Sequence, residues 1–69
     1  MTPDVALGLM DIYHFNLIGS GGQVVRERDT SCVDDWQAEA MARMLLLSQG
    51  TQSVEAWTQG RLLYVVARH

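Results

Sequence analysis

Apolar and polar residues alternate along the first part of the chain. In the segment IYHFNL, residues 12–17, large apolar side chains fall at every second position with polar ones between them. This period of two predicts a strand with one buried face. The glycine-rich segment 19–22 interrupts the pattern, and an extended pattern resumes over 23–29. The two segments therefore predict a hairpin.

The period changes to that of a helix over residues 35–49, after a connection at 30–33. Asp34 is a good N-cap because its carboxylate accepts from first-turn amides, and Gly50 stands where a glycine typically ends a helix. Leu46 falls on the polar side of a helical wheel, so we expect it to point outward while Leu45 and Leu47 edge the core. The arc expected to face the core contains Trp36, Ala38, Ala40, Met41, Met44, Leu45 and Leu47.

Two further strands are predicted over 53–58 and 61–67, joined by a turn at Gln59 and Gly60. The run LLYVV, residues 62–66, is apolar on both faces, which favours a place in the middle of the sheet. The second strand carries four successive charges, RERD, which is typical of an edge strand that avoids pairing with another chain. The prediction is a two-layer ββαββ α+β domain, a four-stranded antiparallel sheet with one helix on one face.

This domain is expected to span 12–69, with residues 1–11 as a lead that is flexible or forms one short helical turn. A chain of 69 residues buries only about 60% of the surface that its unfolded form exposes. It is therefore marginally stable alone, and a partner or a second copy would stabilise it.

The net charge is −3, from eight acids and five arginines, with no lysine. An acidic chain lacks the basic surface that nucleic acid requires, which disfavours direct DNA or RNA binding. The single cysteine fits a reducing cytoplasm, and the first residues resemble neither a signal peptide nor a membrane anchor. We expect a cytoplasmic protein without membrane contact.

No motif in the chain predicts a reaction or a cofactor. Gly21-Gly22-Gln23 spells the tripeptide of peptide release factors, but here it falls in a hairpin turn. Cys32 precedes a helix start, where the dipole lowers a thiol pKa, but Asp34 and neighbouring Asp35 oppose that effect. His14 and His69 have no partner at metal-ligand spacing. We therefore predict a protein that is not an enzyme and holds no metal.

Acidic residues concentrate at the end of the second strand and the start of the helix. Alternate residues of a strand stand about 6.7 Å apart, similar to the spacing of phosphates along a nucleic-acid strand. Such a lobe would fit a partner's basic groove; the alternative is a solvated surface whose acids favour the helix N-terminus. The predicted partner-binding residues are Glu27, Asp29, Asp34, Asp35 and Glu39, together with Leu46.

Four segments carry a resemblance to known proteins: YHFNL, VVRERD, DDWQAEAMARMLL and VEAWTQGRLLYVV. Together they resemble a group of short bacterial proteins that form a domain family of unknown function. The resemblance covers residues 12–67 and implies the ββαββ fold, but no activity.

In size, acidity and lack of catalytic groups the chain is similar to small phage-encoded anti-CRISPR-type inhibitors, by analogy of class. The expected function is that of an inhibitor covering a partner protein's basic nucleic-acid-binding surface. The alternatives are a bacterial accessory or regulatory domain that acts as a homodimer and, less favoured, a thiol-dependent enzyme.

Overall fold

The computed structural model describes residues 10–68. Its elements are β1 (Asp11–Ile18), β2 (Val24–Cys32), α1 (Asp35–Gln49), β3 (Ser53–Thr58) and β4 (Arg61–Ala67). The strands form one antiparallel sheet in the order β2-β1-β3-β4, and α1 packs on one face. The predicted ββαββ α+β fold is confirmed.

The bounds of β1 and β2 differ from the predicted 12–17 and 23–29 at both ends of each strand. β1 begins at Asp11, which the sequence placed in the lead, and residues 1–9 of that lead lie outside the described part. β2 runs on through Thr30 to Cys32, where a connection was predicted. The extension occurs because 30–32 pair with the first residues of β1.

The alternation in β1 separates the two faces of the sheet. Tyr13, Phe15 and Leu17 are buried against α1, and their neighbours in β3 include Ala56 and Val54. The even-numbered residues of β1 lie on the opposite face, called the open face below. The core therefore forms between one sheet face and one helix, as the period of two predicted.

The orientation of α1 differs from the predicted one. Its buried residues are Ala38, Ala42, Leu45 and Leu46. Leu46 is only 7% exposed and Leu47 is 74% exposed, so the prediction that Leu46 points outward was wrong. Two alanines four residues apart let the helix backbone approach the sheet, which brings Leu46 into the core and leaves Trp36, Ala40 and Met44 exposed.

β4 is an edge strand, so its predicted place in the middle of the sheet was wrong. Tyr64 and Val66 lie opposite Ala56 and Val54 and face α1, but Val65 is 56% exposed on the open face. A run that is apolar on both faces therefore does not indicate two covered faces here. The prediction that β2 is an edge strand is confirmed.

Both ends of α1 follow the predicted chemistry. Gln37 donates its backbone N–H to Asp34 Oδ1 at 2.8 Å, and its side-chain Oε1 accepts from the Val33 backbone N–H at 2.8 Å. This reciprocal pair satisfies two amides near the helix start. Gly50 ends the helix with φ 68°, a left-handed conformation that favours glycine.

Candidate functional site

An apolar stripe runs along the outside of α1. Trp36, Ala40, Met44 and Leu47, called the outer helix stripe below, follow one another at spacings of four, four and three residues, so they line up on one side of the helix. All four are exposed, and among the large apolar side chains of residues 10–68 Trp36 is the most exposed, at 80%. Clustered apolar exposure of this kind marks interaction sites more often than scattered single residues do.

Three carboxylates lie on the N-terminal half of the same helix: Asp34, Asp35 and Glu39, called the helix acids below. Asp34 caps the helix, Asp35 accepts from the Tyr13 hydroxyl at 2.7 Å, and Glu39 accepts from Arg43 Nη2 at 2.7 Å. Each contact engages one oxygen of a group that offers about four acceptor positions. The exposed carboxylates of Asp34 and Asp35 therefore retain capacity for a partner.

The helix acids act together on the neighbouring strand. Partial burial and then the negative charges of Glu39, Asp35 and Asp34, in that order, raise the pKa of the Tyr64 phenol. Tyr64 belongs to β4 and faces α1. All three carboxylates therefore disfavour ionisation of the Tyr64 phenol.

A second polar group occupies the open face around His14. His14 Nδ1 lies 2.5 Å from Asp29 Oδ1, and Nε2 lies 2.9 Å from Asn16 Oδ1 and 3.0 Å from Glu27 Oε1. Glu55 Oε1 accepts from Asn16 Nδ2 at 3.2 Å. These five residues, called the His14 cluster below, link β1 to both of its neighbours in the sheet.

The surroundings of His14 favour its charged form. Both ring nitrogens face oxygen acceptors, so both must carry hydrogen to make these contacts. The hydrogen bond to Asp29 raises the pKa of His14 above its ordinary value, while partial burial opposes the shift. The imidazolium therefore neutralises part of the charge of Glu27 and Asp29 whenever it is protonated.

The fold divides the predicted acidic lobe between two faces. Glu27 and Asp29 lie on the open face with His14, whereas the helix acids lie on the side of the sheet that α1 covers. Arg26 and Arg28 also lie on the helix side of β2, opposite Leu17 and Phe15. The five acids are therefore not one continuous surface, and buried Leu46 belongs to neither group.

The residues considered for chemistry occupy structural positions. Cys32 ends β2 fully buried, and burial followed by the charge of Asp34 raises its thiol pKa, so the thiol is protonated at neutral pH. Gly22 has φ 83° and donates to the Gly19 carbonyl at 2.9 Å within the β1–β2 turn. The GGQ tripeptide thus forms the hairpin turn, as predicted.

Sequence reasoning missed the outer helix stripe because the helical wheel was centred on the largest side chains. The informative signal was the pair Ala38 and Ala42, since small residues at a spacing of four permit close packing on a sheet. A wheel centred on those alanines places Leu46 inside and Trp36 outside.

Comparison of the chain with protein-family models, curated proteins and solved structures found no match. In the part that the structure describes, no helix is long and apolar enough to cross a membrane. Across residues 10–68 there is also no group of three or more His, Cys, Asp or Glu side chains that could hold a metal ion.

Proposed function

We propose that this protein binds another protein through the exposed face of α1 and works by occupying the partner's surface. In its sharpest form the function is inhibition: the helix face covers a basic site at which the partner binds nucleic acid. The observation that carries this proposal is the 80% exposure of Trp36, directly beside Asp34 and Asp35.

An exposed tryptophan is a strong binding element. Its ring removes a large apolar area from water on association, and tryptophan is enriched among the few residues that supply most of the energy of an interface. Met44 and Leu47 extend the apolar surface along the helix, and the small Ala40 between Trp36 and Met44 lets a partner approach the backbone. Trp36 is therefore the expected anchor of the contact.

The helix acids specify a basic partner. Opposite charge around an apolar anchor steers encounter and selects against acidic surfaces. A nucleic-acid-binding site supplies arginine and lysine side chains arranged for phosphates, and carboxylates can take the places of those phosphates. The class similarity to anti-CRISPR-type inhibitors, which rests on size and acidity, agrees with this assignment.

The helix acids fit this role better than Glu27 and Asp29 do. Glu27 and Asp29 contact His14, which offsets part of their negative charge when its ring is protonated. The exposed apolar residues on the open face belong to strands and do not form a single helical stripe. The proposed site therefore keeps Asp34, Asp35 and Glu39 from the predicted lobe and adds the outer helix stripe.

Capture followed by competition tests this function. The immobilised protein is incubated with a nuclease-treated bacterial lysate, and the bound proteins are challenged with an excess of a duplex DNA oligonucleotide. We expect a protein that the DNA displaces, because both ligands occupy the same basic site. Trp36→Ala should lose this protein, whereas Ile12→Ala, which truncates an exposed side chain on the open face, should retain it. Captured proteins that resist DNA and bind Trp36→Ala equally would contradict the proposal.

A further inference from the structure

The two edges of the sheet differ in charge. β2 carries the four successive charges RERD at 26–29, whereas residues 62–67 of β4 include no charged side chain. Leu62 and Val65 are large exposed apolar residues of β4. Charged edge strands resist pairing with another chain, and uncharged apolar ones favour it. Among the described strands, β4 is therefore the edge available to a further strand.

The charge pattern of β2 specifically rejects a second copy of itself. Residues directly opposite one another in an antiparallel pair project from the same face. Glu27 and Asp29 lie on the open face, and Arg26 and Arg28 lie on the helix side. Regular antiparallel pairing of β2 with β2 of another copy would place acids opposite acids and arginines opposite arginines, which is destabilising.

Because opposite residues of an antiparallel pair share a face, self-pairing is favourable for β4, in contrast to β2. Val65 lies on the open face, and Tyr64 and Val66 face the helix side. Antiparallel self-pairing centred on Val65 places it opposite its own counterpart, and places Tyr64 opposite the counterpart of Val66. Pairs of aromatic and β-branched side chains stabilise adjacent strands. β4 is thus complementary to itself.

We propose that β4 pairs antiparallel with β4 of a second copy of this chain. Two four-stranded sheets would then join into one of eight strands. Because opposite residues share a face, both α1 helices lie on the same side of that sheet with their outer stripes free. Each copy pairs through the uncharged residues 62–67 of β4 and presents the charged β2 outward, so association stops at two copies.

This dimer contact is independent of the proposed function of the helix face. A second copy would stabilise the fold, since a domain of 69 residues buries a smaller fraction of its surface on folding than larger domains do. Loss of the dimer leaves each helix face intact, and loss of the helix-face contact leaves β4 intact. The two proposals therefore fail separately.

Sedimentation velocity of the full chain over a concentration series tests the dimer. The wild type should show a monomer–dimer equilibrium without larger species. Val65→Lys should raise the dimer dissociation constant by about tenfold or more, because it places two ammonium groups opposite each other at the centre of the contact. Val25→Lys adds the same charge at an exposed position of the β2 edge and should leave the dimer unchanged, as should Trp36→Ala.

Amide hydrogen exchange of the wild-type chain provides a second test of the β4–β4 dimer that needs no variant. Protection of the β4 amides should rise with protein concentration, while β2 amides should not respond. A wild type that stays monomeric at every concentration would overturn the proposal. It would also be overturned by equal dimerisation of wild type and Val65→Lys, or by a dimer that Trp36→Ala abolishes.

Discussion

Tyr13 donates a hydrogen bond from its phenolic hydroxyl to Asp35 Oδ1 at 2.7 Å, joining strand β1 to the first turn of α1. Tyr13 is buried and Asp35 is exposed, so this bond lies at the margin of the core. The acceptance by Asp35, followed by burial, strongly raises the pKa of Tyr13. One of the proposed partner-binding acids therefore also positions the helix on the sheet.

Removal of that hydroxyl should destabilise the fold. Tyr13→Phe keeps the ring in the core but leaves Asp35 without its donor, and hydrogen bonds to charged groups contribute about 1.5–3 kcal/mol. We expect a loss of about 1–2 kcal/mol in the free energy of unfolding, since Asp35 regains water. Urea unfolding measures it, with Tyr64→Phe as the control because the Tyr64 hydroxyl makes no hydrogen bond within residues 10–68. Equal losses in both variants would contradict a specific role for the Tyr13–Asp35 bond.

The three consecutive leucines should respond differently to truncation. Leu45→Ala and Leu46→Ala remove buried side chains and should each cost about 2–4 kcal/mol of stability. Leu47→Ala truncates an exposed side chain and should change stability by less than about 0.5 kcal/mol. Urea denaturation of the three variants tests the orientation of α1. A costly Leu47→Ala beside a neutral Leu46→Ala would require the helix to be rotated from its position here.

Stability should depend on pH through His14. The raised pKa means that the folded state binds the proton more tightly than the unfolded state does. The resulting stabilisation is fully present below the ordinary pKa of about 6.5 and is lost as pH rises through the folded-state pKa. The advantage of wild type over His14→Gln should therefore shrink as pH rises above about 6.5.

An NMR titration of the imidazole measures the pKa of His14 directly. The His14 signal, identified by its absence in His14→Gln, should titrate above about 6.5. Asp29→Asn replaces the charged acceptor of the hydrogen bond that contributes most to the shift with a neutral amide oxygen, and it should move the pKa of His14 down. A His14 pKa at or below 6.5 in the wild type would show that the His14 cluster does not hold the imidazolium.

Two buried threonines provide a matched pair for hydrogen bonding. The Thr58 hydroxyl donates to the Ile12 carbonyl at 3.2 Å, whereas Thr51 Oγ1 is buried with no partner in the described structure. Thr58→Val should cost about 1 kcal/mol, and Thr51→Val should be neutral or stabilising by up to about 1 kcal/mol because it removes an unpaired polar atom. Thermal unfolding of both variants measures the difference. A destabilising Thr51→Val would indicate that its hydroxyl is hydrogen-bonded.

The fold was predictable because local signals in the sequence agreed with one another. The period of two in β1, the Asp34 cap and Gly50 each specify a local conformation that does not depend on distant residues. The position of β4 in the sheet and the rotation of α1 depend on pairing between distant segments. Those two features were predicted wrongly, because apolar side chains at Val65 and Trp36 appear equally suited to a core or to an interface.

The candidate site was predictable only in part for the same reason. The sequence identified all three helix acids, since cap chemistry and charge are visible in the chain. It could not show that Glu27 and Asp29 meet His14, because that contact requires the register between β1 and β2. The sequence also could not show that the helix acids lie on a different face from Glu27 and Asp29, because that separation results from the packing of α1 on one face of the sheet.

Because the helix acids and the open-face acids lie on different faces, each group can be neutralised separately with the same change in net charge. Comparison of the two variants tests whether the partner binds through the exposed face of α1. One variant neutralises the helix acids as Asp34→Asn, Asp35→Asn and Glu39→Gln; asparagine still caps a helix and still accepts from Tyr13, so the fold should persist. The control neutralises the open face as Glu27→Gln, Asp29→Asn and Glu55→Gln. Each changes the net charge from −3 to 0, since each removes three negative charges.

Isothermal titration of both variants and the wild type against the DNA-displaced partner is the decisive measurement. We expect the helix-acid variant to lose at least about tenfold in affinity, while the open-face variant binds within a few-fold of the wild type. We also expect wild-type affinity to fall as salt rises. Equal affinity of the helix-acid variant and the wild type, with both folded, would contradict binding through the exposed face of α1.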